Sequence, residues 1–294
     1  MSDQSQKDID SHSGVETTGH EWDGIKELNN PLPRWWLYIF YASIAFSVLW
    51  WVLMPAWPAL PGGSGNTAGV WNQSDRSEVV DDLAALSSAR AENTKQLLEA
   101  SLEEIEGSQN LQQFALAMGE SVFGDNCATC HGAGGRGAKG YPSLADDVWL
   151  WGGSLDDIQQ TITYGIRTEH ADTRYSEMPA FGTDGFLSEA EIDDLVQKVL
   201  SLSGQEHDAS AVSRANEVYE LNCSSCHGLE GEGERVFGAP DLTDNEWLYG
   251  GSPTAIRETI YKARNSVMPY WEDRLDQATI KALAVYVHTL GGGE

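Results

Sequence analysis

Positive charge is scarce in this chain. Its 294 residues hold 18 Lys and Arg against 45 Asp and Glu, a formal net charge of −27. Such a balance does not supply the basic surface that nucleic acid requires, so no nucleic-acid partner is expected. It suits plain solubility, or a partner that docks through a basic face. Cysteine is scarcer still. All four, Cys127, Cys130, Cys223 and Cys226, fall in two Cys-x-x-Cys pairs. Neither pair sits near the βαβ pattern of a thioredoxin-like redox site. The pairs lie far apart and each has its own His, which argues against one zinc site built from four thiolates. Methionine numbers five. Met54 belongs to an apolar run and Met118 precedes the first cysteine pair, so Met178 and Met268 stand out. No residue reads as a nucleophile or general base, and no catalytic residue is assigned.

Each cysteine pair is followed at once by histidine. The segments are Cys127-Ala128-Thr129-Cys130-His131 and Cys223-Ser224-Ser225-Cys226-His227. Cys-x-x-Cys-His is the attachment motif of c-type haem: two thiols bond the haem vinyl groups and the adjacent imidazole reaches the iron. One Met follows each motif, Met178 and then Met268. A thioether opposite the imidazole fills the sixth coordination position and raises the reduction potential. Two covalently bound haem c groups are therefore expected, in a protein that passes electrons.

Long apolar runs are rare too; one stands out. Trp35 to Met54 is 20 residues without a charge. At 1.5 Å per residue it reaches about 30 Å, the thickness of a bilayer core. Trp35, Trp36, Trp50 and Trp51 cluster at its ends, as interfacial aromatics do. The run is too long for a signal-peptide core, and more than about 30 residues precede it. Lys26 and Arg34 flank its N-terminal side, and no Lys or Arg follows until Arg76. The basic residues thus place the N-terminus in the cytoplasm and the bulk of the chain in the bacterial periplasm, where c haems are attached. The expected organisation is a tail (1–34), a transmembrane helix (35–55) and a periplasmic linker with a helix (56–106). Two haem domains follow (107–204 and 211–294), joined by a short linker (205–210). Pro61-Gly62-Gly63-Ser64-Gly65-Asn66 reads as a flexible connection. The Ala-, Leu- and Glu-rich stretch from about Asp75 to Glu106 reads as helical, either packed on a partner or a mobile spacer.

The two haem domains form an internal repeat. Leu144-Ala-Asp-Asp-Val-Trp-Leu-Trp-Gly-Gly-Ser154 parallels Leu242-Thr-Asp-Asn-Glu-Trp-Leu-Tyr-Gly-Gly-Ser252. Met178-Pro179-Ala180-Phe181 parallels Met268-Pro269-Tyr270-Trp271. An aromatic, Phe123 or Tyr219, stands four residues before each motif. A small residue, Gly119 or Ala215, stands four residues before that, which suits a close helix crossing. Each repeat closes with an amphipathic helix: Ile192, Leu195, Val196, Val199 and Leu200 stripe the first. Ile280, Leu283, Ala284, Val287 and Leu290 stripe the second. Ser188 and Glu191 have capping-box spacing.

Each repeat resembles a class I cytochrome c domain, so the expected fold is mainly α: one N-terminal membrane helix and two tandem class I cytochrome c domains. In that family the first and last helices of a domain cross. Carried over by position, Cys127, Cys130, His131 and Met178 hold the first haem, and Cys223, Cys226, His227 and Met268 the second. Pro142 and Pro240 occupy the place of a proline whose carbonyl accepts the ligand imidazole's Nδ1–H, a bond that fixes the tautomer. Trp149, Trp151, Trp247 and Tyr249 are expected to wall the pockets or the domain interface. The segment Trp22-Asp-Gly-Ile-Lys-Glu-Leu-Asn-Asn-Pro-Leu-Pro-Arg-Trp-Trp36 narrows the match. With the layout of one anchor and two haem domains, it resembles the dihaem subunit III family (CcoP or FixP) of cbb3-type cytochrome c oxidases. That resemblance implies a complex with a haem–copper catalytic subunit that reduces O2, a monohaem c subunit and a donor cytochrome c.

Three other readings compete. One is the anchored cytochrome of another respiratory complex. Another is a dihaem peroxidase, which needs an iron without a stable Met and so fits poorly with one Met per repeat. The third is a haem-based sensor, for which no output domain is visible. The first repeat also carries six extra positions between its His and its Met, falling in Arg167 to Arg174. His170 in that loop rivals Met178 as a ligand only weakly. A surface position, or one near a haem propionate, suits it better. Arg167 and Arg174 are placed to pair with propionates or to lie in solvent. His207 and His288 are expected to be exposed.

Overall fold

A computed structural model describes residues 8–58, 65–291 and 293. It divides into two compact units, Met1–Ser87 and Ser88–Glu294.

In the first unit the polar tail is not featureless. A hairpin joins β1 (Thr17–Trp22) to β2 (Ile25–Leu28). Its turn is Asp23-Gly24, both at positive φ (47° and 85°), the backbone that a tight hairpin needs. An Asp-Gly pair between Trp22 and Ile25 is the sequence signal for it, and the tail was expected only to be polar. The apolar run forms α1 (Arg34–Leu53), long and apolar enough to cross a membrane. Pro33 precedes it, where proline's fixed φ suits a helix start. Most of the Pro61–Asn66 connection, residues 61–64, lies outside the described residues.

The expected helix near the membrane is present as α2 (Asp75–Glu99) and α3 (Leu102–Gly107). Ser101 and Glu104 form a reciprocal capping box that starts α3. The end of this stretch is neither a spacer nor a free docking face, because Leu97, Leu102 and Ile105 are buried in a core within the second unit. Lys281 donates from Nζ to the carbonyls of Leu97 (3.2 Å), Leu98 (3.0 Å) and Ala100 (2.6 Å), which are left open where α2 ends. Replacing Lys281 by Met should cost roughly 1.5–3 kcal/mol, the range for hydrogen bonds to a charged group. A urea melt of the full chain reads it as a lower midpoint at unchanged slope.

The remaining helices are α4 (Gln109–Asn126), α5 (Ala128–His131), α6 (Leu155–Tyr164) and α7 (Glu189–Leu202). They continue with α8 (Ala209–Asn222), α9 (Ser224–His227), α10 (Pro253–Lys262) and α11 (Gln277–His288). They bury two cores. One gathers α3, α4, α6 and α11 around Phe123, Ile158, Ile162, Ile280 and Leu283. The other gathers α7, α8 and α10 around Ile192, Leu195, Tyr219, Ile256 and Phe181.

The helix crossings are not those the repeat implies. α4 crosses α11, the last helix of the other repeat, and α7 crosses α8. At the first crossing Gly119 lets the backbones meet: a Cβ there would lie 2.5 Å from Cβ of Tyr286 and 2.6 Å from the carbonyl of Ala282. The small-residue-plus-aromatic reading of α4 was sound, but its partner is α11. The physical reason lies in the connections. Only residues 203–208 separate α7 from α8, and a link that short favours antiparallel packing of sequence neighbours. With α7 committed to α8, α4 is covered by α11. The second core is thus built from one continuous stretch, nested in a first core that the C-terminal helix closes. Arg214 to Asp194 (2.5 Å) and Arg257 to Asp193 (2.8 Å) and Glu189 tie α8 and α10 to the acidic face of α7.

Candidate haem sites

α4 delivers the first motif. Cys127 ends α4, and the single turn of α5 carries Cys130 and His131 toward a cleft in the first core. α8 and α9 do the same for Cys223, Cys226 and His227. Gly132 and Gly228 follow each His at φ of 79° and 77°, so the chain leaves both motifs through the same left-handed turn. Each imidazole is then fixed on its far side. Nδ1 of His131 lies 3.0 Å from the carbonyl of Pro142, and Nδ1 of His227 lies 3.0 Å from that of Pro240. A carbonyl only accepts, so Nδ1 carries the proton and Nε2 keeps its lone pair for a metal. Burial lowers both imidazole pKa values, favouring the neutral ring a metal needs. Burial also pushes the Cys127 and Cys223 thiols up to about 11. All four cysteines are free of disulfides.

The structure separates His131 from Met178. The cleft that holds Cys127, Cys130 and His131 is lined by Met268, from the other repeat. Its walls are apolar: Trp149, Trp151, Ile158, Ile162, Leu283 and Val287. Met178 instead packs on the second core, together with Cys223. Met268 thus stands at the His131 cleft and Met178 at the second core, the reverse of the placement that sequence order implies, for the same reason as the helix crossings. The chain leaves the first half after α6, builds the second half with Met178 and α7, and returns through Met268 to α11. Imidazole, thioether, two thiols and dry aromatic walls fit a c haem. The structure reaches that donor set in the first cleft through residues 137 positions apart.

Hydrogen bonds to the backbone hold each Met in its place. Ile166 N–H donates to the Met268 carbonyl (2.9 Å), and Met268 N–H donates to that of Ile166 (3.1 Å). Asn265 plays the matching part for Met178. Its Oδ1 accepts from Met178 N–H (3.2 Å), and its Nδ2 donates to the Met178 carbonyl (3.1 Å). Nothing in the sequence singled out Ile166 or Asn265. Their offset after α6 and α10, two and three residues beyond each helix, is the signal they left.

The aromatic quartet both walls the clefts and joins the repeats. Trp149 and Trp151 line the first cleft, and Trp247 packs on the second core. Trp151 lies against Gly238, and Tyr249 lies 3.3 Å from where a Cβ of Gly140 would stand, so each glycine makes room for an aromatic of the other repeat. Arg174 does not face solvent. It donates to the Trp151 carbonyl (2.7 Å), to Asp157 (2.8 Å) and to Gln160 (3.0 Å). His170 is half-buried and lies outside the first cleft's lining. Its Nε2 is 2.6 Å from Glu272 and its ring stacks on Tyr164. His288 is not exposed either: its Nδ1 is 2.8 Å from Glu106. His207 is exposed.

Known proteins share this sequence along nearly its whole length. Residues 114–197 and 210–287 match the family described as cytochrome c oxidase, cbb3-type, subunit III. Residues 14–61 match the N-terminal domain of cytochrome oxidase-cbb3, FixP. The chain belongs to the cbb3-type cytochrome c oxidase subunit III family. A subunit CcoP from Azospirillum brasilense is 49% identical, covering 98% of this chain and 99% of its own length. A FixP from Bradyrhizobium sp. (strain ORS 278) is 50% identical over the whole of both chains. A CcoP from Cereibacter sphaeroides is 47% identical, covering 95% of each chain. A chain of the Kuenenia stuttgartiensis reducing HAO-like complex is 21% identical, with a TM-score of 0.16, covering 59% of this chain and 96% of that one, a likeness too slight to bear on the fold. As a cytochrome c family member with an apolar N-terminal helix, the chain is a membrane-anchored protein that carries covalently bound haem c.

Proposed function

We propose that the chain is the dihaem electron relay of a cbb3-type terminal oxidase, with its haems cross-ligated. Cys127, Cys130, His131 and Met268 would hold one haem. Cys223, Cys226, His227 and Met178 would hold the other. The bound haems supply one-electron redox chemistry. The chain's own residues do the rest. The cysteines attach, the Pro142 and Pro240 carbonyls fix the imidazoles, and the tryptophan walls keep water out. The single observation that carries this reading is the repeated donor set, an imidazole anchored on a proline carbonyl beside a Cys-x-x-Cys pair, with a thioether available to each half.

In this reading α1 crosses the bacterial inner membrane with the N-terminus cytoplasmic and both haem sites periplasmic. A donor cytochrome c docks outside and gives its electron to this subunit. The electron passes on to the haem–copper catalytic subunit, with a monohaem c subunit as the further partner. The acidic surface suits a donor with a basic face. Purification in mild detergent, with pyridine haemochrome and copper analysis, tests the assignment. Haem b and copper should accompany two c haems per chain, with O2 uptake on adding reduced cytochrome c. Two c haems with neither haem b nor copper would favour an anchored shuttle of another complex.

A further inference from the structure

We infer that Arg167 is a positioning residue shared by both methionines assigned as haem ligands, a single clamp on the two loops that carry the thioethers. This rests on the cross-ligated reading above. The chain passes between its two halves twice, once between Ile166 and Met178 and once between Lys262 and Met268. Arg167 stands where these two passages run together. Its Nε donates to the carbonyl of Ser266 (2.7 Å), two residues before Met268. Its Nη1 donates to the carbonyl of Ser176 (3.0 Å), two residues before Met178. One planar guanidinium thus grips both methionine loops at the same offset from the sulfur-bearing residue. A rigid fork of donors is the arrangement that lets arginine span two acceptors at once.

The local backbone supports a dedicated role. Arg167 sits at φ +53°, a conformation uncommon for a residue with a side chain. It is held there by its own N–H, which donates to Arg174 O (2.9 Å), while Arg174 N–H donates to Gly165 O (3.1 Å). Tyr249 steadies the Ser266 acceptor: its hydroxyl pairs with Ser266 Oγ (2.6 Å) and donates to Arg264 O (3.2 Å). In the repeat alignment that sets Gly165 against Ala263, the counterpart of Arg167 is Asn265. Asn265 holds Met178 alone, through its amide. The two positions therefore differ in reach: Asn265 serves one methionine and Arg167 serves both.

The test is imidazole competition against the ferric full-length protein in detergent, followed through the near-infrared Met-to-iron charge-transfer band. Arg167→Gln should make imidazole displace the thioether about tenfold more readily at both haems, the effect of losing a charged hydrogen bond on each loop. Asn265→Ala should do so for only half of the band. Arg167→Lys keeps the charge but not the fork, so at least half of the band should remain more easily displaced than in the native protein. Native-like competition in Arg167→Lys, or an Arg167→Gln effect confined to one haem or to none, overturns the inference. If Arg167→Gln fails to assemble, Arg167→Lys decides alone. Absence of the band from the unaltered protein would instead refute the Met ligation on which the inference rests.

Discussion

A chain ending at Gly204 should fail to hold a haem in its intact first motif. Such a chain keeps the complete first repeat, including Cys127, Cys130, His131 and Met178. What it loses is α11, whose Ala278, Ile280, Ala282, Leu283, Ala284, Val285 and Val287 are buried against α3, α4 and α6. Burying a branched aliphatic side chain is worth roughly 1.5–3 kcal/mol. Four of those seven are Ile, Leu or Val, so the loss approaches the whole stability of a domain, about 5–15 kcal/mol. In this fold the apolar stripe of α7 packs on α8, which the truncation also removes, so that stripe too is left uncovered. The expected result is an aggregating or haem-poor fragment, at least tenfold below one haem per chain. A soluble fragment with one haem and a Met–iron band would show that each repeat folds by itself, against this architecture.

Replacing either methionine by alanine should open one iron and leave the other closed. A low-spin iron with imidazole and thioether has no free position, so the reduced native protein should bind almost no carbon monoxide. Met268→Ala and Met178→Ala should each bind close to one carbon monoxide per chain, and the double variant close to two. Carbon monoxide binding by the unaltered protein would mean that one haem lacks a stable sixth ligand. That outcome would revive the dihaem peroxidase reading. His170 offers no alternative ligand, because Glu272 and Tyr164 already hold its ring.

The sequence reading reached the elements but not their partners. Cys-x-x-Cys-His, the single Met after each copy, and the stripes on α7 and α11 are local patterns, and each appears in the structure where its spacing puts it. Gly119 and Ala215 were legible as crossing points because a missing or small side chain is local too. Which helix crosses which is not local. α7 and α11 carry equivalent stripes, so both satisfy α4 or α8 as far as pattern goes. The short 203–208 connection decides, by making α7 the neighbour of α8. The exchange of Met178 and Met268 follows from that choice and from nothing in their own surroundings in the chain. For Arg167 and Arg174 the solvent alternative fails for a related reason. A loop arginine reads as free charge, yet both are spent on backbone carbonyls that only the folded chain brings near. The hairpin at 17–28 was legible in its Asp-Gly turn and was overlooked beneath the polar composition of the tail.

The exchange itself is the claim most open to direct measurement. Cys127→Ala leaves the first haem attached by one thioether, which shifts its α band to the red and marks it apart from the second. Spectropotentiometry of the full-length protein then follows each haem separately, in the Cys127→Ala background, with Met268→His or Met178→His added. Histidine in place of a thioether lowers the potential, within the range of about 0.8 V that axial ligands span. The fold described here predicts that Met268→His lowers the potential of the marked haem and Met178→His that of the unmarked one. The reverse assignment, with Met178→His moving the marked haem, would contradict it.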